Sequence, residues 1–93
     1  MTTARADIHI DDAGIRVTTW SFDEAGAATG QHVHEYDYVV IPVTGGTFTV
    51  TEADGTTREM TQRVGSPYRG SAGTDHDVRS TSVASFVEVE LKT

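Results

Sequence analysis

The stretch QHVHEYDYVV, residues 31–40, decides the fold of this chain. It places His32 and His34 two positions apart and continues into a run of tyrosine and valine. Branched and aromatic side chains favour strands because they pack well on a pleated surface. Successive side chains of a strand point to opposite faces, so the two histidines are predicted to face the same side. The stretch therefore predicts a strand that presents two imidazoles on one face.

Short runs of the same type recur along the chain, separated by turn signals every 8–12 residues or so, as in a sandwich or barrel. No window of a dozen residues repeats apolar positions at the helical spacing. Asp54-Gly55 is a strong hairpin signal. We therefore predict an all-β fold of about eight strands in a closed or nearly closed architecture, which limits exposed edges. Besides the opening stretch, the strand-like runs cover residues 7–10, 15–22, 38–43, 47–53, 56–62, 75–82 and 85–91.

Three local patterns refine this prediction. The apolar phase changes between Val17 and Trp20, which predicts a β-bulge in that strand. Pro42 lies inside a run and predicts an edge or a bulge there. The last run places Glu88 and Glu90 on the face opposite its valines and leucine, which is the pattern of a half-buried strand.

Composition excludes several classes of function. The 93 residues are predicted to form one domain, residues 1–93. The 14 acids against seven bases give a net charge of -7, so nucleic-acid binding, which needs a cationic face, is not expected. Without cysteine, a metal must be bound by nitrogen and oxygen ligands. No stretch is apolar enough for a signal peptide or a bilayer span, so we expect no membrane association and a cytoplasmic location.

The histidines suggest a metal site. Two imidazoles on one face can bind a divalent ion, but a third ligand is normally required. His76, in the segment GTDHDVRS, is the obvious candidate because it lies at the start of a strand after a loop that contains glycine. His9 stands alone in an N-terminal run and offers no pattern.

Two spaced motifs resemble those of the cupin superfamily, in particular its small RmlC-like members. The first motif reads G-x5-H-x-H, then a glutamate after three or four residues, then x6-G; the second reads G-x5-P-x-G-x2-H-x3-N. The resemblance covers residues 26–80 and implies a jelly-roll barrel, the double-stranded β-helix. The matching residues are Gly26, His32, His34 and Gly45 in the first motif and Gly65, Gly73 and His76 in the second, with Ser71 and Ser80 in place of proline and asparagine.

The resemblance implies that His32, His34 and His76 ligate one divalent transition metal: iron, zinc, nickel, copper or manganese. Tyr38 stands at the family's glutamate position. Three roles are open to Tyr38: a phenolate ligand, a hydrogen-bond or proton donor to bound substrate, or a packed interior residue with its hydroxyl satisfied. Three neutral imidazoles leave the ion its full positive charge, which makes it a strong Lewis acid.

The resemblance also implies the functional prediction, a metal-dependent enzyme, either a dioxygenase-type enzyme or a related isomerase, that acts on a small oxygenated substrate. The alternative is a non-catalytic cupin that binds a metal or a small ligand as a sensor or accessory protein; metal-free acid–base chemistry on a sugar ranks last. Arg69 precedes the second histidine motif and is a candidate contact for an anionic substrate. We also expect a homodimer that uses the N-terminal strands, because pairing would cover edge strands in so small a domain.

Overall fold

The computed structural model describes residues 2–93, which form nine strands and no helix. The predicted all-β fold is confirmed. Over that range the chain therefore has no helix long and apolar enough to cross a membrane. In chain order the strands are β1 (Arg5–Asp11), β2 (Ile15–Phe22), β3 (His32–Val33), β4 (Asp37–Pro42), β5 (Gly46–Glu52), β6 (Thr57–Gln62), β7 (Tyr68–Gly70), β8 (Asp75–Ser80) and β9 (Ala84–Leu91).

The strands form two sheets whose inner faces enclose the core. One sheet has the order β1-β2-β9-β4-β7 and the other has the order β3-β8-β5-β6. Every neighbouring pair of strands is antiparallel. Because consecutive strands often lie in different sheets, the chain crosses between the two layers repeatedly. This connectivity brings segments that are distant in sequence together inside the jelly roll.

The interior is layered along the strands. The rings of Phe22, Phe48 and Phe86 pack against one another with centroid separations of 5.4 to 5.9 Å. Two residues further along β5 and β8, Val50 and Val78 are buried opposite each other. The next inward positions on these strands are polar, and the histidines lie at this level of the barrel. The aromatic layer thus supports one end of the barrel and leaves the other end for a polar site.

The face of β9 that lies inside the barrel is the opposite of the one its pattern indicated. A half-buried strand of this composition should bury its valines, but Phe86, Glu88 and Glu90 point inward, whereas Val87 and Val89 are only half-buried. The pleat explains the result, because Phe86 has the same parity as the two glutamates and belongs to the aromatic core. The interior therefore contains two carboxylates that appeared to belong to the surface.

A bulge was predicted in β2 but occurs in its neighbour β1. β2 pairs with β9 without interruption from Ile15 to Phe22, so β2 itself has no bulge. The register shift lies in β1 between Ile8 and Ile10, on the strand that pairs with the other side of β2. The extra residue is His9, whose ring forms a 2.7 Å hydrogen bond with the hydroxyl of Thr19.

Two other local predictions agree with the structure. The β5–β6 hairpin turns at Gly55, which has a φ of 87°, and the Asp54 carboxylate accepts hydrogen bonds from the backbone N–H and the hydroxyl of Thr56. Pro42 is the last residue of β4, and β7 pairs with β4 only as far as Val40. The proline therefore lies where that side of β4 is open and its missing N–H removes no ladder bond.

The sequence did not indicate strand β7. It lies in the segment GSPYRGSAG, where proline and glycine favour loop. Its pairing with β4 places Gly70 directly opposite Tyr38. A Cβ atom on Gly70 would overlap the far end of the Tyr38 ring. The strand is therefore specified by a contact across the sheet and not by local propensity.

Candidate metal centre

The three predicted histidine ligands converge at the polar end of the barrel. β3 and β8 are antiparallel neighbours, and His32 lies directly opposite His76. His34 follows β3 and turns its ring toward the same point. The Nε2 atom of His34 lies 3.1 Å from Nε2 of His32 and 3.1 Å from Nε2 of His76. Three nitrogen donors this close together can bind a single ion.

The second ring nitrogen of each histidine has a different environment. Nδ1 of His32 lies 2.8 Å from the carbonyl oxygen of Gly30, so it donates its hydrogen there and leaves the lone pair on Nε2. Nδ1 of His34 faces Oε1 of Glu88 at 3.9 Å, too long for a direct hydrogen bond. Nδ1 of His76 is buried and has no partner among the described residues. A carbonyl partner such as that of His32 orients the histidine ligands of metals.

Electrostatics favours the neutral form of two of the three histidines. Burial, followed by the charges of the neighbouring His32 and His76, lowers the pKa of His34 to about 4. Burial, followed by the charge of His32, also lowers the pKa of His76. Neutral imidazoles that meet through Nε2 bring lone pairs together, and a bound cation would relieve this arrangement. The donor set therefore fits a divalent transition metal, for which imidazole is a suitable ligand.

Tyr38 packs against this cluster. Its ring stacks on the His34 imidazole with centroids 3.9 Å apart and planes inclined by 20°. Burial raises the pKa of Tyr38, as does the charge of Glu88, whereas a hydrogen bond with Thr74 acts in the opposite direction. Tyr38 is thus a buried neutral phenol that holds one face of His34. Its part in catalysis stays a prediction.

Sequence reasoning missed the two glutamates of β9. Glu88 accepts a 3.4 Å hydrogen bond from Nε1 of Trp20, and burial raises the pKa of its carboxyl to about 7 against the effect of that bond. Glu90 lies opposite Tyr38 and accepts two hydrogen bonds from Arg16, at 2.5 and 3.0 Å. Their carboxylate oxygens form a second group of potential metal ligands with His34. The parity of Phe86 was the signal in the sequence that could have placed them inside.

A cavity of about 690 Å³ opens onto the histidines, within the range of small-molecule sites. All three ring systems and Tyr38 line it, together with apolar walls from Met60, Tyr68 and Phe86. A smaller cavity of about 310 Å³ reaches His32 and His34 from the side of β1. The metal-binding candidates are therefore accessible to a small ligand. Arg58, Arg63 and Arg69 also line the larger cavity.

Comparisons with known proteins agree with this architecture. No family model matches the chain. The β-alanine degradation protein BauB of Pseudomonas aeruginosa is 39% identical over 87 residues, which cover 91% of this chain and 90% of that protein. The crystal structure of a cupin domain from Bordetella pertussis is 33% identical, covers 99% of this chain and 96% of its own, and superposes with a TM-score of 0.91.

A more distant structure shares the fold alone. An RmlC-like cupin from Methanocaldococcus jannaschii, whose fold is described as a double-stranded β-helix, is 12% identical and covers 98% of this chain and 82% of its own. It superposes with a TM-score of 0.74. Together with the two-sheet topology and the two histidine motifs, these similarities establish that the chain belongs to the cupin superfamily, as a small cupin with the RmlC-like jelly-roll fold.

Proposed function

We propose that this cupin binds one divalent transition-metal ion through His32, His34 and His76 and acts as a dioxygenase-type enzyme on a small oxygenated substrate. The observation that carries the proposal is the convergence of three Nε2 atoms on the wall of a cavity large enough for such a molecule. When bound, an ion with three protein ligands supplies Lewis-acid chemistry and open coordination positions.

The residues around the histidines support a reactive site. The Tyr38 ring stacks on His34 and restricts its orientation, and the Glu88 carboxylate lies 3.9 Å from Nδ1 of His34. Tyr38 also lines the cavity and keeps its proton near neutral pH, so it is the proposed proton donor to substrate. Met60, Tyr68 and Phe86 provide apolar walls that reduce water access. The name of BauB, which concerns the degradation of β-alanine, supports a degradative reaction on a small molecule.

A non-catalytic cupin that holds a metal or small ligand is the second candidate. The presence of Tyr38 at the position of the family's glutamate favours it, because a buried phenol stacked on a ligand can stabilise a binding site without taking part in a reaction. Both candidates need the three histidines. They differ in whether the site turns over a substrate.

The first experiment is metal analysis of protein purified without an affinity tag. We expect about one metal ion per chain, lost in His76→Gln and retained in His9→Gln, whose ring lies on β1. A metal content near zero in the unmodified protein would remove the enzyme and the metal-holding form of the second candidate. Retention of the metal by His76→Gln would remove the proposed ligand set.

The second experiment separates catalysis from binding. Oxygen uptake is measured with iron-loaded protein and a panel of 1,3-dicarbonyls, thiols and catechols, with His76→Gln as the inactive control. Uptake above the control supports the enzyme. A loaded protein that consumes no oxygen with any of these compounds supports the binding module.

We further propose a homodimer that forms through β1. This strand is exposed along its whole length, and Ile8 and Ile10 are 59% and 46% exposed. Its outer edge has no strand partner within residues 2–93, so a second copy could extend the sheet. A light-scattering mass of one chain at micromolar concentration would contradict this proposal. The cytoplasmic location stays a prediction from the sequence.

A further inference from the structure

Positive charge is concentrated at the larger cavity of an otherwise acidic molecule. The chain has seven basic residues against 14 acids, yet Arg58, Arg63 and Arg69 all line this one cavity. Glu88 is the single carboxylate residue in its lining, and it is buried beside His34. The chain as a whole has a net charge of -7 and repels anions, but the local positive charge of the cavity attracts them.

The ion pairs of the chain strengthen this observation. Arg5, Arg16 and Lys92 are each paired with aspartate or glutamate. Within residues 2–93, neither Arg63 nor Arg69 has a carboxylate at ion-pair distance. Two cations are therefore left unneutralised at one cavity although acidic side chains are twice as numerous in the chain.

Arg58 has a partner that a ligand could replace. Its Nε atom lies 2.6 Å from Oε1 of Glu52, and both side chains are substantially exposed. Exposed ion pairs of this type are weak, because water screens the charges and the side chains lose freedom when they pair. A ligand carboxylate that enters the cavity can therefore share or take over the guanidinium of Arg58.

Strand register selects which arginines face the interior. Arg58 is opposite the buried Val50, and Met60, two residues further along β6, packs against the core. Arg63 follows the end of β6 and lines the same cavity. On β7, Tyr68 and Gly70 face inward and Arg69 is exposed, and Arg69 also lines the cavity. The sequence suggested Arg69 as a contact for an anionic substrate, and the structure places it at the same cavity as Arg58 and Arg63.

The distance between Arg58 and the histidines sets the kind of molecule that fits. β6 is separated from β8, which carries His76, by β5, and neighbouring strands lie about 4.8 Å apart, so the two backbones are roughly 10 Å apart. Part of this gap is filled by the two side chains. The remaining space, walled by Met60 and Phe86, suits a short carbon chain with polar groups at both ends.

We infer that the cavity recognises a small carboxylate-bearing molecule, whose carboxylate is bound by Arg58, with Arg63 adding positive charge to the same cavity, while its other, oxygen-bearing end faces the three histidines. The orientation of the oxygen-bearing end toward the histidines rests on the proposed function. The recognition of the carboxylate by the arginines is independent of the proposed function. Guanidinium groups bind carboxylates through two parallel hydrogen bonds, which gives both affinity and direction.

The test compares two matched probes on nickel-loaded protein by calorimetry. 2-Oxoglutarate and 2-oxopentanoate share the same metal-binding end and the same chain length, but only the first has a distal carboxylate. We expect 2-oxoglutarate to bind at least tenfold more tightly. This preference should vanish in the double variant R58Q/R63Q and persist in R5Q, which removes a cation that is paired with aspartates on β1 and in the β2–β3 loop.

Two results would overturn the inference. One is equal affinity of the two probes for the unmodified protein, and the other is a loss of preference in R5Q as large as that in R58Q/R63Q. Because Glu52 lies opposite His76, metal content is measured in every variant to ensure that only binding of the probes has changed.

If the protein retains no metal, the proposed function falls and the inference is decided on the metal-free protein. Pentanoate and 1-pentanol, which differ in whether they carry a carboxylate, are then compared by NMR titration to millimolar concentration. A preference for pentanoate that R58Q/R63Q abolishes supports the inference. Equal shifts with both compounds, or no shift with either, overturn it.

Discussion

The contact between Gly70 and Tyr38 provides a quantitative test of how the ring is held beside His34. The two residues lie opposite each other on β7 and β4, and a Cβ atom on Gly70 would overlap the far end of the Tyr38 ring. Tyr38 is buried and its ring also stacks on His34. The ring therefore cannot move away from a new methyl group without losing that stacking. Gly70→Ala should destabilise the protein.

The size of the effect follows from two opposing contributions. Overpacking a buried contact costs about 1–3 kcal/mol. Gly70 does not have a positive φ, so alanine can adopt its backbone conformation and stabilises by about 0.4–1 kcal/mol through the unfolded chain. The net loss should be on the order of 1–2 kcal/mol, which lowers the melting temperature of a domain this size by about 4–16 °C.

The decisive comparison is the effect of Gly70→Ala in a protein that already carries Tyr38→Leu. Leucine lacks the ring atoms that a Cβ on Gly70 would meet, so Gly70→Ala should be neutral or slightly stabilising in this variant. Urea unfolding of all four proteins in chelator gives the coupling free energy between the two positions, expected to be about 1–2 kcal/mol. Gly14→Ala is the matched control, because a Cβ there makes only an ordinary contact with Asp12. An equal effect of Gly70→Ala in both backgrounds, or none in the unmodified protein, would refute the reasoning.

Three further predictions concern the polar interior and the metal. Arg16→Met should lower the free energy of unfolding, measured in urea, by on the order of 3 kcal/mol, because it leaves the buried Glu90 unpaired. Arg5→Met breaks exposed pairs and should lower it by less than about 1 kcal/mol. Similar losses in the two variants would contradict this prediction. Zinc at a hundredfold excess over its dissociation constant should stabilise the protein by about 2.7 kcal/mol, reversibly with chelator, and an unchanged melting temperature would exclude specific binding. The single tryptophan, Trp20, stacks on His32 at 6.4 Å, so bound copper should quench its fluorescence, and undiminished emission at saturation would place the ion elsewhere.

Much of the fold was predictable from the sequence by itself. Alternating β-formers and turn residues located eight of the nine strands, all except β7, and the Asp54-Gly55 hairpin is where the pattern placed it. The resemblance to the two cupin motifs predicted that His32, His34 and His76 meet. These features are local or depend on spacing, because pleat parity and turn chemistry act over a few residues.

The tertiary structure decided which face of each strand lies inside. In β9, alternation alone allows either the valines or the glutamates to be buried, and the aromatic layer around Phe86 selects the glutamates. The desolvation of Glu88 is tolerated because Trp20 donates a hydrogen bond to it, and that of Glu90 because Arg16 pairs with it. Both partners lie on β2, about 70 residues away in the chain. No local pattern carries information about them.

The same distinction applies to the site. Sequence spacing determined which histidines meet, whereas the position of Tyr38 on His34 depends on Gly70 in a strand that local propensity did not indicate. The cationic lining likewise arises from residues on β6, on β7 and in the loop between them, which only the closed barrel brings to one cavity. Short-range stereochemistry thus specified the strands. The packing of two sheets specified their surroundings, because burial and pairing across sheets depend on contacts between distant parts of the chain.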